Sequence, residues 1–514
     1  MGEEIIVFRG ITKRFPPDIL ANDRVSFGVK KGTVHILLGE NGAGKTTLMN
    51  ILYGIHQPDE GSIFLRGKEV RVASPQVAIK LGIGMVHQHF RLVPNHRVWE
   101  NVVLGFPHVP HFFPAARARV IIRDLSREYG LDVDPDAYVW QLSAGEQQRV
   151  EILRALLRKA EILILDEPTS VLTPSDTERL FSVLRKMREE GKTCLFITHK
   201  FSEVGEIGDR ITVLRKGRVV GTVTRGEVDF ETLASMMVGE KVPLSLEKVL
   251  VVPGRPLLQI EDLWVLDDRG LPGVRGVSFV VREGEIVGVA GVVGNGQREL
   301  AEALAGLRTP LRGRVFLEAK DLTGASPKDV QEAGLGYVPE DRRVSLVGDL
   351  TVAENLVLRD YRRPFFRRGI LLNWKRVQEH AARVTATYRI VPSLPHLPVR
   401  LLSGGNRQRV ALAQALTPCP RVLVIANPTA GLDVLATSFI HRLLLSLQQE
   451  GIGILLISGD LDEILALSDR ILVLYRGKIV GERVRPSGGW TGEDRREIGL
   501  MMGGVSEKCL VVSR

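Results

Sequence analysis

Apolar positions along the chain follow two recurrent patterns. His35-Ile-Leu-Leu38, Ile162-Leu-Ile-Leu-Asp166 and Thr193-Cys-Leu-Phe-Ile-Thr198 are apolar at nearly every position. Such runs need cover on both faces, so they predict buried parallel strands. Residues 46–53 and 178–190 instead carry apolar residues at helical spacing and predict helices. Val213-Leu-Arg-Lys-Gly-Arg-Val-Val220 predicts a hairpin turned at Lys216-Gly217. The stretch 98–141 lacks strand-like runs and predicts a mostly helical insert. Strands alternating with helices are the mark of an α/β core.

The pattern occurs twice. Val25-Ser-Phe-Gly-Val-Lys-Lys-Gly32 recurs 252 positions on as Val277-Ser-Phe-Val-Val-Arg-Glu-Gly284. Leu142-Ser-Ala-Gly-Glu-Gln-Gln-Arg-Val150 recurs 260 positions on as Leu402-Ser-Gly-Gly-Asn-Arg-Gln-Arg-Val410, and Asp209-Arg-Ile-Thr-Val-Leu-Arg-Lys-Gly217 recurs at the same offset from Asp469. The chain therefore reads as two halves of one fold, 1–240 and 257–514. A linker at 241–256 separates them, where Pro243, Pro253 and Pro256 break any period.

Composition narrows the class. The 514 residues are 44% hydrophobic and 25% charged, ordinary for a globular protein. Three cysteines, Cys194, Cys419 and Cys509, are too few and too scattered for a disulfide framework or paired zinc ligands, which fits a reducing compartment. No run of about 18 apolar residues and no basic leader occurs, so a cytosolic chain without a membrane span is expected. The net charge of +9 raises nucleic acid or an anionic membrane as partners. The bases are dispersed, however, the densest cluster being Tyr361-Arg-Arg-Pro-Phe-Phe-Arg-Arg-Gly369. That distribution fits a solvated Arg-rich surface, and no nucleic-acid partner is expected.

Residues Gly39, Glu40, Asn41, Gly42, Ala43, Gly44, Lys45, Thr46 and Thr47 match the full P-loop pattern between a predicted strand and a predicted helix. Glycines there let backbone N–H groups wrap phosphates, Lys45 reaches the β and γ phosphates, and the Thr46 hydroxyl binds Mg²⁺. Two acids end the next strand. Buried consecutive carboxylates are costly without a compensating cation, so Asp166 is expected to serve Mg²⁺ and Glu167 to orient an attacking water. His199, after a third apolar strand, is placed to contact the γ phosphate.

With Gln88 of Gly84-Met-Val-His-Gln and the Leu-Ser-Ala-Gly and Leu-Ser-Gly-Gly blocks, this order of motifs resembles the ATP-binding cassette ATPases over nearly the whole chain. The resemblance implies two tandem P-loop cassettes, each a mixed β core with a helical subdomain, using ATP and Mg²⁺. It implies that each nucleotide lies between the P-loop of one half and the signature block of the other. Phe15 falls where that family stacks adenine, and Gln88 where it supplies a metal-linked glutamine. Intact parts segregate onto one composite site. Lys45, Thr46, Gln88, Asp166, Glu167 and His199 come from the first half, and Ser403, Gly404, Gly405 and Asp433 from the second. The counterparts are degraded: Gln297 and Arg298 replace Lys45 and Thr46, Glu340 replaces Gln88, Ala426 and Asn427 replace the acids, and Gly459 replaces His199. In the first half the blocks read Ser143-Ala-Gly-Glu146 and Ser170-Val-Leu-Thr173. One hydrolysing site is expected.

Fused cassettes with a degraded second site look most like importer ATPases for simple sugars and nucleosides, and the His-Gln-His-Phe segment at 87–90 leans to the nucleoside branch over the ribose or galactoside branch. The implied partners are membrane permeases docking around Gln88 and Glu340, with an extracytoplasmic solute-binding protein acting indirectly, at the cytoplasmic face of the membrane. A twin-cassette ATPase acting on ribosomes is the alternative from another class. Its relatives keep both sets of acids and a long charged linker, which this chain lacks.

Overall fold

The computed structural model describes residues 3–16, 18–88, 90–105, 115–169, 172, 174–239, 248–249, 251–292 and 294–504. Of the positions singled out above, His89, Ser170, Val171, Thr173, Cys509 and 240–247 lie outside the described residues. The chain divides into two compact units, Met1–Leu244 and Ser245–Arg514.

In the first unit the three apolar runs are neighbouring parallel strands. The six-stranded sheet has the order Arg218–Thr224, Arg210–Arg215, Val34–Leu38, Thr193–Thr198, Ile162–Asp166, Ile83–Val86. Only the outermost pair, Arg210–Arg215 with Arg218–Thr224, is antiparallel. Every residue of Val34–Leu38, Ile162–Asp166 and Thr193–Thr198 is buried, which explains their uninterrupted apolar character. The hairpin turns at Lys216 (φ 47) and Gly217 (φ 78), both left-handed, as a two-residue turn matched to strand twist demands.

A second, antiparallel sheet of four strands was not read from the sequence: Ile19–Lys30, Glu4–Phe15, Glu60–Leu65 and Lys68–Val70 in spatial order. Its long strands carry register shifts, one between Phe8 and Ile11, that flip the phase of the inward residues and erase a clean alternation. The helix Lys45–Leu52 shares a core with both sheets. Ile6, Phe8, Ile11, Leu48 and Leu52 are all at most 1% exposed, each contributing roughly 1.5–3 kcal/mol by burial. The insert is helical as expected among the described residues, with Val98–Val103, Ala115–Tyr129 and a 3-10 turn at Val139–Gln141. The helix read over 178–190 is longer at its start and spans Pro174–Glu189.

The second unit repeats this plan. Its six-stranded sheet runs Leu335–Val338, Val422–Ala426, Gly453–Ser458, Ile286–Ala290, Arg470–Tyr475, Lys478–Val484. Its antiparallel sheet runs Pro272–Arg282, Pro256–Leu266, Arg312–Leu317, Lys320–Asp321. Lys248, from the stretch read as linker, is fastened to this unit by an ion pair to Asp469 at 2.7 Å. Burial lowers its pKa to about 8, the nearby carboxylate only partly offsetting that cost.

Candidate functional site

The P-loop leaves the end of Val34–Leu38 and enters the helix at Lys45. Gly44 takes φ +93, and a Cβ there would stand 2.2 Å from the Ala21 carbonyl oxygen, so no other residue fits. The Lys45 ammonium donates to the carbonyls of Gly39 (2.7 Å) and Glu40 (2.9 Å), curled over the mouth of its own loop. Burial pushes its pKa down although Glu167, Asp166 and Glu40 lie near. A buried, incompletely balanced ammonium is a receptor for further negative charge.

Asp166 is 2% exposed and accepts a hydrogen bond from the Thr46 hydroxyl at 3.1 Å. Burial raises its carboxyl to about 6, the Thr46 bond and Lys45 only partly countering burial and the Glu167 charge. A carboxylate held so far from its ordinary value beside a hydroxyl is a donor set of hard oxygens suited to a divalent cation. The next residue has the opposite balance. Burial also pushes Glu167 up, but the His199 hydrogen bond and the charges of His199, Lys45 and Lys200 outweigh it and keep Glu167 below the usual carboxylate range. Glu167 adopts φ 46 at the strand end, which turns its side chain between two partners. Its Oε1 faces His199 Nδ1 at 3.3 Å and its Oε2 accepts from Gln88 Nε2 at 3.1 Å. Lys45, Thr46, Asp166, Glu167, His199 and Gln88 thus form one connected cluster, with an ionised carboxylate at its centre. Phe15 is half-buried at the end of Glu4–Phe15 and meets the His56 ring edge-on, with centroids 5.2 Å apart.

In the second unit Ser403 caps the helix Gly404–Leu416, its hydroxyl accepting from Asn406 N at 3.4 Å. Asp433 caps Val434–Gln449 through Ala436 N at 2.7 Å. A Cβ at Gly405 would lie 3.1 Å from the Ala436 Cβ and 3.8 Å from the Asp433 carboxylate, so Ser403, Gly405 and Asp433 gather at one pair of helix starts. The first unit differs at this point. Glu146 folds back on its own helix start, its Oε2 accepting from both Ser143 N and Ser143 Oγ at 2.8 Å. A carboxylate already holds the positive end of that helix.

The P-loop counterpart in the second unit keeps its shape without the charge. Gln297 Nε2 donates to Gly291 O at 3.0 Å, mirroring Lys45 on Gly39. Arg298 stands in place of the Thr46 hydroxyl and is tied to Glu302 (2.7 Å) and Asp268 (3.2 Å). Asn427 holds φ 42 and accepts from Gly459 N at 2.9 Å. A cavity of about 500 Å³ remains, lined by Gln297, Arg298, Glu340 and Asn427 among others.

Three supporting residues escaped the sequence reading. Buried Glu203 accepts hydrogen bonds from the Thr169 and Thr198 hydroxyls, the latter at 2.5 Å, and so clamps the ends of the two strands that carry Glu167 and His199. Burial raises its pKa. Glu463 does the same with Thr429 (2.7 Å) and Ser458 (2.7 Å), and the recurrence of an acid 260 positions on from Glu203 was the available signal. Asn22 donates to Gly44 O at 3.1 Å and braces the P-loop, a role that only the antiparallel sheet reveals.

The sequence pattern of the ABC transporter family matches residues 22–170 and 274–430, one match on each unit. The chain belongs to the ABC transporter family. The expected fold class, two P-loop cassettes with mixed β cores and helical subdomains, is borne out by the fold and this match. A nucleoside import ATP-binding protein of Lactococcus lactis is 43% identical to this ABC ATPase over 98% of the chain and 99% of its own length. A glucose import ATP-binding protein of Haloferax volcanii is 43% identical over 98% and 96%. A guanosine import ATP-binding protein of Bacillus subtilis is 42% identical over 98% of each. Among solved structures, the archaeal ribosome recycling factor bound to a ribosomal stalk protein has a TM-score of 0.65 at 21% identity over 96% of the chain and 92% of its own. It shares the fold of the ABC ATPase. Among the described residues no helix is long and apolar enough to cross a membrane.

Proposed function

We propose that this ABC ATPase is the energy-supplying subunit of an importer for nucleosides and that it hydrolyses ATP at one composite site. The observation that carries the reading is the Gln88–Glu167–His199 cluster beside Thr46 and Asp166. Thr46, Asp166 and Gln88 would hold Mg²⁺, which would supply charge neutralisation to the phosphates. The chain does the rest. Lys45 and the loop amides bind the β and γ phosphates, while ionised Glu167 orients a water and accepts its proton. His199 fixes Glu167 and faces the γ phosphate, and Phe15, half-exposed, stacks on adenine. By the family pattern, Ser403, Gly404, Gly405 and Asp433 of the second cassette belong to the same catalytic set. The second nucleotide position lacks the base, the cation-linked acid and the histidine, so it turns over no ATP.

The partners are permease chains that span the membrane, docked at the grooves around Gln88 and Glu340 on the cytoplasmic side, with a solute-binding protein outside. The nucleoside and guanosine import names of full-length relatives support nucleosides as the cargo, and relatives named for ribose import keep simple sugars as the alternative. Glu167→Gln should abolish steady-state turnover, and retention of half the wild-type rate overturns the single-site reading. Uptake of labelled nucleosides and pentoses by a deletion strain tests the cargo, and uptake of pentoses alone would assign the chain to the sugar branch.

A further inference from the structure

The cluster Tyr361-Arg-Arg-Pro-Phe-Phe-Arg-Arg-Gly369 has no part in the nucleotide chemistry. It lies between the helices Val352–Val357 and Trp374–Thr387 and ends in a small hairpin, Arg367–Arg368 paired with Leu371–Leu372 across a two-residue turn. Gly369 takes φ +66 as the first turn residue, which leaves Ile370 at the apex. The base is firmly held. Phe366 is buried against His380, Asn373 N donates to Phe366 O at 2.9 Å, and the Arg376 guanidinium donates to Phe365 O at 3.1 Å. Its outer side chains are thus presented by a fixed frame.

Two properties coincide on that frame. Ile370 is 91% exposed and Leu371 70%, with Trp374, Phe365 and Tyr361 each about half exposed. Residues 361–376 also hold six cations and no acid, a large share of the charge excess in a chain whose net charge is only +9. Arg363 is paired with Asp360 at 2.9 Å, but Arg367 and Arg368 make no ion pair among the described residues. Aliphatic side chains on a turn apex are unusual in water, where polar residues prevail. A folded protein partner would be registered by polar groups of both kinds around the apolar centre. Here the one side-chain amide, Asn373, is spent on capping its own helix.

We infer that this projection is a membrane-surface contact. Ile370 and Leu371 enter the boundary of headgroups and acyl chains, Tyr361, Phe365 and Trp374 lie at headgroup level, and Arg367 and Arg368 meet anionic phosphates. Tyr361 and Arg363 also line a cavity of about 440 Å³ that reaches Pro339, next to Glu340, so the projection stands beside the groove proposed for the permease. The inference rests on the importer reading only for the nearness of a bilayer.

The test is sedimentation of the full chain with vesicles of phosphatidylcholine, with and without 30% phosphatidylglycerol, and without permease. Binding should be at least tenfold stronger with phosphatidylglycerol. Ile370→Asp combined with Leu371→Asp should weaken it at least fivefold, and Arg367→Gln combined with Arg368→Gln should remove the lipid preference. Both pairs should leave the ATPase rate of the soluble chain unchanged. Absence of binding, or wild-type binding by both double variants, overturns the inference. So does intact vesicle binding with lost co-purification of the permease, which would make the projection a protein-docking surface. None of these outcomes depends on which solute is carried or which site hydrolyses ATP.

Discussion

The two P-loops of this chain hold nearly the same backbone and opposite chemistry. In the first, a buried ammonium and a raised aspartate leave a pocket that calls for phosphate and a divalent cation. In the second, a neutral amide makes the same loop contact and a guanidinium already satisfied by two carboxylates takes the cation-binding position. Folding the loop therefore needs only a donor aimed at the carbonyl of its first glycine, and on the proposed reading charge is an additional requirement of catalysis. The frame behind both pockets, a buried glutamate bridging two strand ends, is kept in each.

The sharpest way to break this comparison is to exchange the bases. Glu167→Gln is expected to lower steady-state ATP turnover on the order of 10²–10⁴-fold, and Asn427→Glu to restore none in that background, because Ala426 and Gln297 still leave the cation and phosphates unheld. Turnover rescued by Asn427→Glu would show that the second pocket is intact apart from its base.

The frame should respond alike in both units. Glu203→Ala leaves two buried hydroxyls without an acceptor and is expected to cost about 3 kcal/mol, read as a fall in the unfolding midpoint. Glu463→Ala should cost as much, and a loss confined to one unit would mean that the clamp is not shared.

Acid should separate the units. His35 sits in the sheet core of the first, held to Thr212 at 2.8 Å, and burial, aided by the charge of Arg210, lowers its pKa to about 3. Val287 occupies that place in the second. Between pH 6.5 and 3 the unfolded chain binds a proton at this site that the folded one does not, so stability falls as pH drops through that window. At pH 5 the loss relative to pH 7.5 is about 2 kcal/mol, and His35→Val should flatten the pH slope for the first unit. An unchanged slope would refute the buried neutral imidazole.

The smallest effect concerns the helix starts. Asn406→Glu would copy the Glu146 arrangement onto the second unit and is expected to lower turnover about threefold to tenfold by placing a carboxylate where the γ phosphate is proposed to bind. Glu146→Asn should leave turnover unchanged.

Much of this was legible in the sequence because the central strands are buried on both faces and so are written as unbroken apolar runs, and because the P-loop glycines have no steric substitutes. The antiparallel sheet was not legible, since register shifts within Glu4–Phe15 scramble the two-residue period. With it went Asn22, whose brace on Gly44 crosses from that sheet. Glu203 was hidden for a different reason: an acid inside a helix reads as solvated until two hydroxyls, one ending a strand and one in the turn after another, are seen to surround it. The role of Glu146 needed coordinates too, because a capping carboxylate and a surface one have the same letter.

Glu167 and Asn427 share a left-handed backbone, at φ 46 and φ 42. Asparagine tolerates that conformation far better than glutamate, whose strain there is on the order of 1 kcal/mol. The half with the glutamate thus carries a strain that the half with the asparagine does not. If the second site is idle as proposed, its base is dispensable and foldability alone favours the asparagine. Glu167→Asn should accordingly yield an inactive chain whose first unit melts higher than that of the wild type.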